Sequence, residues 1–307
     1  MAAACSSGGS RGSASAGSAN SSVAVEVASY DLATGPPSRF LAGLLTNDHR
    51  LIAFGSIEMQ FSFLGTARAG AAATAGPPVH ASFLAVPGTV LPSPLPEAPQ
   101  IVEGGAEGVY AAQAAFDRPG FWQVEVSARV NGKPVHSTGA FQVAEHHLVP
   151  FPGDPALATD NLTVGSDAPR AAVDSRAGVG GDIPDPELHS TTIAAAVAAK
   201  RPAVVVFATP VFCVSRFCGP VTDMVDDLAK AYADRASFVH VEIWFDHDNN
   251  KLNQAAQDWL LRNGDLNEPW VFVIGADGRI AARFDNVVTR DELEPLVKAL
   301  PAIGPVA

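Results

Sequence analysis

Phe207-Ala-Thr-Pro-Val-Phe-Cys213-Val-Ser-Arg-Phe-Cys218-Gly-Pro220 is the stretch on which the prediction of the fold depends. It holds two of the chain's three cysteines, with four residues between them. The β-branched apolar residues just before it predict a buried strand over 203–207. Apolar residues at helical spacing after it predict an amphipathic helix over 220–233. A cysteine pair between a buried strand and a helix is a candidate redox site.

Strands and helices alternate around this stretch. Apolar runs predict strands at 203–207, 237–245, 270–274 and 280–284, the last two joined by a turn at Asp277-Gly278. Helical periodicity predicts helices at 192–200, 220–233, 253–262 and 290–300. This order indicates an α/β fold for residues 161–307.

The strand, the cysteine pair at the start of a helix, and Glu268-Pro269-Trp270 ahead of an apolar strand resemble the thioredoxin-like superfamily. The resemblance covers residues 161–307 and implies a thioredoxin-like fold with thiol–disulfide chemistry. It implies that Pro269 is the family's cis-proline, with Glu268 and Trp270 beside a groove that holds an extended substrate. The C-x4-C spacing departs from the family's usual C-x2-C.

The four-residue gap restricts how the two cysteines can bond. A disulfide needs Cα atoms within about 7 Å, which residues five apart in a regular helix do not provide. Pro220 suits the first turn of a helix, so we expect the helix to begin near Gly219 or Pro220 and the residues before it to form a loop. We predict that Cys213, the more exposed, attacks first and that Cys218, at the helix N-terminus, resolves. A structural disulfide or two free buried cysteines are the alternatives.

Glu242 is the third predicted catalytic residue, a carboxylate that could accept the proton of the resolving thiol. The alternative is that Glu242 and His240 face solvent from their strand. Trp270 either lines the substrate groove or belongs to the core.

Two other activities are compatible with a C-x4-C pair. The spacing resembles that of peroxiredoxins of the bacterioferritin-comigratory type, but Thr209 stands four residues before Cys213 and Pro269 replaces an arginine. A Cu(I)-binding metallochaperone would use both cysteines and His247. No metal ion or cofactor is predicted for the oxidoreductase, and the scattered histidines of the first half show no ligand-type spacing apart from the adjacent pair His146-His147.

Period-two alternation dominates the first half, for example at Trp122, Val124 and Val126. With the Asn131-Gly132 hairpin signal, it predicts an immunoglobulin-like β-sandwich over 23–147, followed by a linker at 148–160. The predicted fold class is therefore two domains, an all-β immunoglobulin-like sandwich and an α/β thioredoxin-like fold.

The N-terminus predicts a membrane anchor. Met1-Ala-Ala-Ala-Cys5 resembles the end of a bacterial lipoprotein signal, and residues 1–22 are a Ser/Gly/Ala-rich tether. The net charge of −12 argues against nucleic acid as a partner. We therefore expect a cell-envelope, extracytoplasmic thiol–disulfide oxidoreductase that acts on protein thiols or disulfides and is attached to the membrane through Cys5.

Overall fold

The computed structural model describes residues 22–303, except 69, 71, 105–106 and 179. The proposed lipid anchor at Cys5 and all of the predicted tether except Ser22 lie outside the described residues. Among the described residues, no helix has both the length and the apolar character needed to cross a bilayer.

The first half consists of strands. Its described residues form nine strands, β1 to β9: Val23–Val27, Ser38–Thr46, Ile52–Ala53, Ser56–Gly65, Val79–Ala85, Gln100–Ile101, Gly108–Ala114, Gly120–Val130 and Lys133–Val143. Seven of them form one antiparallel sheet in the order β1-β2-β7-β5-β4-β8-β9, and β3 pairs with β6. The Asn131-Gly132 turn joins β8 to β9, as its hairpin signal predicted.

This seven-stranded sheet curls until its two end strands meet. The Ser137 hydroxyl on β9 donates to the Val23 carbonyl on β1, at 2.6 Å. Gly139 lies so close to Val25 that a Cβ there would be 3.2 Å from the valine side chain. The interior is filled by aromatic rings in mostly edge-on contacts, among them those of Phe40, Phe61, Phe116 and Phe141.

The second half contains a smaller mixed sheet with short helices. The strands of this half, β10 to β15, are Ala203–Ala208, Ser237–Glu242, Trp244–Asp246, Lys251–Leu252, Trp270–Ile274 and Ile280–Asp285. Strands β12 and β13 pair with each other, apart from the mixed sheet. The helices of this half, α1 to α5, are Arg170–Val173, Ile193–Ala198, Cys218–Tyr232, Gln254–Leu260 and Arg290–Ala299, with 3-10 turns at Ser175–Ala177 and Pro186–His189. The sheet order is β11-β10-β14-β15, with β10 parallel to β11 and antiparallel to β14.

The predicted fold class is wrong. The chain is mostly β, with 36% strand against 18% helix, and its first half is one nearly closed sheet rather than a sandwich of two. The second half is not a distinct α/β domain of thioredoxin-like type. Tyr30 packs into the same apolar cluster as Trp259 and Phe272, and Val287 packs with Leu41. Period-two alternation shows only that one strand face is buried, so it cannot distinguish two facing sheets from one that closes on itself.

Polar contacts also join the two halves near the cysteine pair. The Tyr30 hydroxyl donates to the Glu268 carbonyl at 2.8 Å. Arg283 binds Asp31 through a hydrogen-bonded ion pair of 2.7 Å, with both side chains almost fully buried. Residues 28–39 of the first half are thereby held against β14, β15 and the segment that precedes them.

Candidate functional site

Cys213 and Cys218 form a disulfide between the end of β10 and the start of α3. Their Cα atoms are 6.0 Å apart, inside the usual range for such a bond. Helix α3 begins at Cys218, one residue before Gly219, the earlier of the two predicted starts. Residues 209–217 form the loop between β10 and α3. The pair therefore closes in the way the spacing argument required, with only Cys218 inside the helix.

The two sulfurs differ in exposure. Cys218 is 0% exposed and packs in the apolar core, whereas Cys213 is half-buried. Next to Cys213, Val214 is 95% exposed, and the Ser215 hydroxyl lies 3.2 Å from the Cys213 sulfur. An external thiol can approach Cys213 but not Cys218, which agrees with the predicted order of attack.

Glu268 brings a carboxylate to the disulfide. One of its oxygens and both cysteine sulfurs lie within 4.8 Å of one another. Burial, followed by the negative charge of Glu242, raises the pKa of Glu268 from 4.5 to about 7. A carboxyl group that titrates near neutral pH can both accept and donate a proton beside the sulfurs.

The neighbours of Glu268 are also defined. The Glu268–Pro269 peptide bond is cis, as the resemblance implied. Trp270 is only 3% exposed, stacks on Phe272 and contacts the Tyr30 ring. Its side chain therefore packs in the core, as the second alternative for Trp270 predicted.

Glu242 is buried, which overturns the solvent-facing alternative. The residue is 1% exposed. Its carboxylate accepts hydrogen bonds from the backbone amides of Ser175 and Ile243, each at 2.9 Å. Burial raises the pKa of Glu242, while the His240 charge and hydrogen bonds from Thr209 and Ser175 oppose the rise. Its clearest link to the cysteine pair is electrostatic, through its charge on Glu268.

His247 lies at the surface near the loop of the cysteine pair. Its ring stacks on Phe212 with centroids 3.8 Å apart and meets Trp244 edge-on. Within the described ranges, the groups of metal-ligand side chains that converge contain the two cysteines with Glu268 but not His247. The three ligands predicted for a Cu(I) chaperone, the two cysteines and His247, therefore do not converge in this structure.

A second polar cluster was missed at the sequence level. Asp174, His189 and His240 are each 0% exposed and bring one ligand atom apiece to a common point. Asp174 precedes the first 3-10 turn, His189 ends the second, and His240 lies in β11. The only signal in the sequence was a histidine in an otherwise apolar strand.

Comparison with known proteins adds no relative. No family model, no curated protein and no solved structure matches the chain. The resemblance that follows from the cysteine motif therefore stays a prediction, and the function must be argued from the site.

Proposed function

We propose that the chain is an extracytoplasmic thiol–disulfide oxidoreductase that acts on protein thiols or disulfides through Cys213 and Cys218. The observation that carries the proposal is the asymmetry of the pair, with one half-exposed sulfur, one fully buried sulfur, and the Glu268 carboxylate within 4.8 Å of both. A purely structural disulfide has no need of a titratable group beside it.

In the reductive direction, the Cys213 thiolate attacks one sulfur of a substrate disulfide. The substrate S–S bond breaks, its second sulfur leaves as a thiolate, and a mixed disulfide forms on Cys213. Glu268 then accepts the proton of the Cys218 thiol, and the Cys218 thiolate attacks the Cys213 sulfur. The mixed disulfide breaks and the substrate leaves with two reduced sulfurs, while the pair is oxidised by two electrons.

The reverse reaction oxidises a substrate dithiol by the same steps. A substrate thiolate attacks Cys213, and Cys218 leaves as a thiolate that takes its proton from Glu268. The N-terminus of α3 favours the negative charge on Cys218 in both directions. The helix and the carboxyl group together suit Cys218 to act as the leaving and resolving sulfur.

The cellular setting is part of the proposal. Disulfide-bearing protein substrates persist in oxidising compartments outside the cytosol. The lipoprotein-like sequence around Cys5 would hold the protein in the cell envelope, beside such substrates.

Catalysis by cysteine variants tests the proposal. The wild-type protein is expected to catalyse dithiothreitol-dependent reduction of insulin, and Cys213→Ser is expected to abolish it because the exposed nucleophile is lost. Cys218→Ser should retain attack but accumulate a mixed disulfide, seen as a mass adduct. Cys5→Ser removes the third cysteine and is the matched control with unchanged turnover. Full activity in Cys213→Ser would rule out the proposal, whereas cysteine-dependent consumption of peroxide without insulin reduction would favour a peroxidase.

A further inference from the structure

The cluster of Asp174, His189 and His240 is not used by the proposed exchange reaction. We propose that these three side chains bind a divalent transition-metal ion of the zinc type. The inference is independent of the cysteine chemistry, because it rests on a different set of side chains.

The distances within the cluster favour a shared ion over direct hydrogen bonds. Asp174 Oδ2 lies 3.3 Å from His189 Nε2 and 3.3 Å from His240 Nδ1, and the two nitrogens are 3.4 Å apart. A hydrogen bond to a buried carboxylate closes to about 2.7–2.9 Å. Arg176 does so at 2.7 Å to the same oxygen. The two histidine nitrogens lie farther than that from the carboxylate oxygen, although both rings are fully buried.

The same three distances fit the edges of a coordination tetrahedron. Zinc lies about 2.0–2.2 Å from nitrogen and carboxylate ligands, which places two ligands of a tetrahedral site about 3.3–3.5 Å apart. Two imidazoles and one carboxylate form a donor set that suits Zn²⁺ and its first-row neighbours rather than Ca²⁺ or Mg²⁺. A water molecule would complete the tetrahedron.

The second contact of the His240 ring points in the same direction. Its Nε2 lies 3.1 Å from the Ala208 carbonyl, an acceptor only, so Nε2 donates a hydrogen to it. Nδ1, which lies 3.3 Å from the Asp174 carboxylate, is the ring nitrogen left to bind an ion. A backbone carbonyl that accepts the remote ring N–H is the usual second contact of a metal-bound histidine.

The charge around the cluster is compatible with a bound cation. Arg176 shares its guanidinium among three carboxylates, those of Asp174, Asp185 and Asp223, at 2.7, 2.8 and 3.2 Å. Asp174 is the fully buried one of the three, and a bound M²⁺ ion would add positive charge beside it.

Metal binding is tested in the Cys5→Ser/Cys213→Ser/Cys218→Ser background, where no cysteine thiolate can contribute. Protein refolded with Co²⁺ is expected to bind about one ion per chain and to show the visible absorption of a tetrahedral site. His240→Ala and His189→Ala in that background should weaken Co²⁺ and Zn²⁺ binding by at least about tenfold. His247→Ala, which changes an exposed histidine, is the matched control.

Two results would overturn the proposal. One is refolded protein that holds no Co²⁺ or Zn²⁺ after gel filtration, which would mean that a proton occupies the cluster instead. The other is binding that survives His240→Ala. If the histidine variants fail to fold, wild-type protein decides the matter: its thermal midpoint should rise with Zn²⁺ and fall back with a chelator, and an unchanged midpoint would contradict the site.

Discussion

Glu268 is the residue through which the pH is expected to act on the surroundings of the cysteine pair. The charged group that acts on it is Glu242, its carboxylate lies beside the Cys213–Cys218 disulfide, and the Tyr30 hydroxyl donates to its backbone carbonyl. Its pKa is raised by burial to about 7, so the folded protein favours the protonated form. The stability that this group contributes is complete below its ordinary pKa of 4.5 and is lost as the pH rises through about 7.

Glu268→Gln should remove this pH dependence. A pKa difference of this size corresponds to roughly 1 to 3 kcal/mol once the partial exposure of the group is allowed for. Urea unfolding of the oxidised protein at pH 5 and pH 8 should therefore show a smaller loss of unfolding free energy in Glu268→Gln than in the wild type. Glu58→Gln, at an exposed position of β4, is the control. Equal pH slopes in Glu268→Gln and the wild type would contradict a raised pKa.

The sequence identified some site residues and misassigned others, for physical reasons. Cys213 and Cys218 were singled out because they lie in a short local motif, whereas Glu268 was expected beside a substrate groove and the carboxylate at the sulfurs was expected to be Glu242. Glu242 and His240 were left with a solvent-facing alternative, but β11 is covered on both faces and its last five residues are all buried. Asp174 and His189 come from loops whose partners are distant in sequence, so no local pattern could bring them together.

At the scale of single elements, α5 is the helix whose start is best defined. Thr289 and Glu292 form a reciprocal capping box, in which the Thr289 amide donates to the Glu292 carboxylate at 2.9 Å and the Glu292 amide donates to the Thr289 hydroxyl. The box holds α5 against α3, the helix that begins at Cys218.

Thr289→Ala should lower the free energy of unfolding by about 1 kcal/mol, because the cap is lost and the helix keeps its packed face. Chemical denaturation monitored by circular dichroism measures the change. Thr289→Ser retains the hydroxyl and should stay close to the wild type. A wild-type midpoint in Thr289→Ala would show that the cap does not contribute to the stability of this helix.

The individual elements were predicted better than their assembly. The strand at 270–274 is β14 without change, and the helix predicted at 290–300 is α5 with one residue fewer. Apolar periodicity and cap residues are local signals, so they locate elements well. The closure of the seven-stranded sheet and its packing on the second half depend on long-range contacts, which explains why the predicted fold class failed.

At the scale of the whole molecule, the first half contacts the residues beside the cysteine pair directly. Burial tends to raise the pKa of Asp31, but hydrogen bonds from His147 and the charge of Arg283 lower it to about 2. This ion pair and the Tyr30–Glu268 hydrogen bond hold residues 30 and 31 beside the carboxyl group that serves the cysteines. The segment between β1 and β2 therefore forms part of the framework of the cysteine site.

The central claim is that the Cys213–Cys218 bond opens and closes as a two-electron couple. Redox titration in glutathione or dithiothreitol buffers, with thiol trapping and intact-mass analysis, measures this most directly. The account predicts a reversible transition between one disulfide and two thiols, with a midpoint in the range of known exchange proteins, about −270 to −120 mV. A bond that resists reduction below about −300 mV would show a structural disulfide and contradict the account.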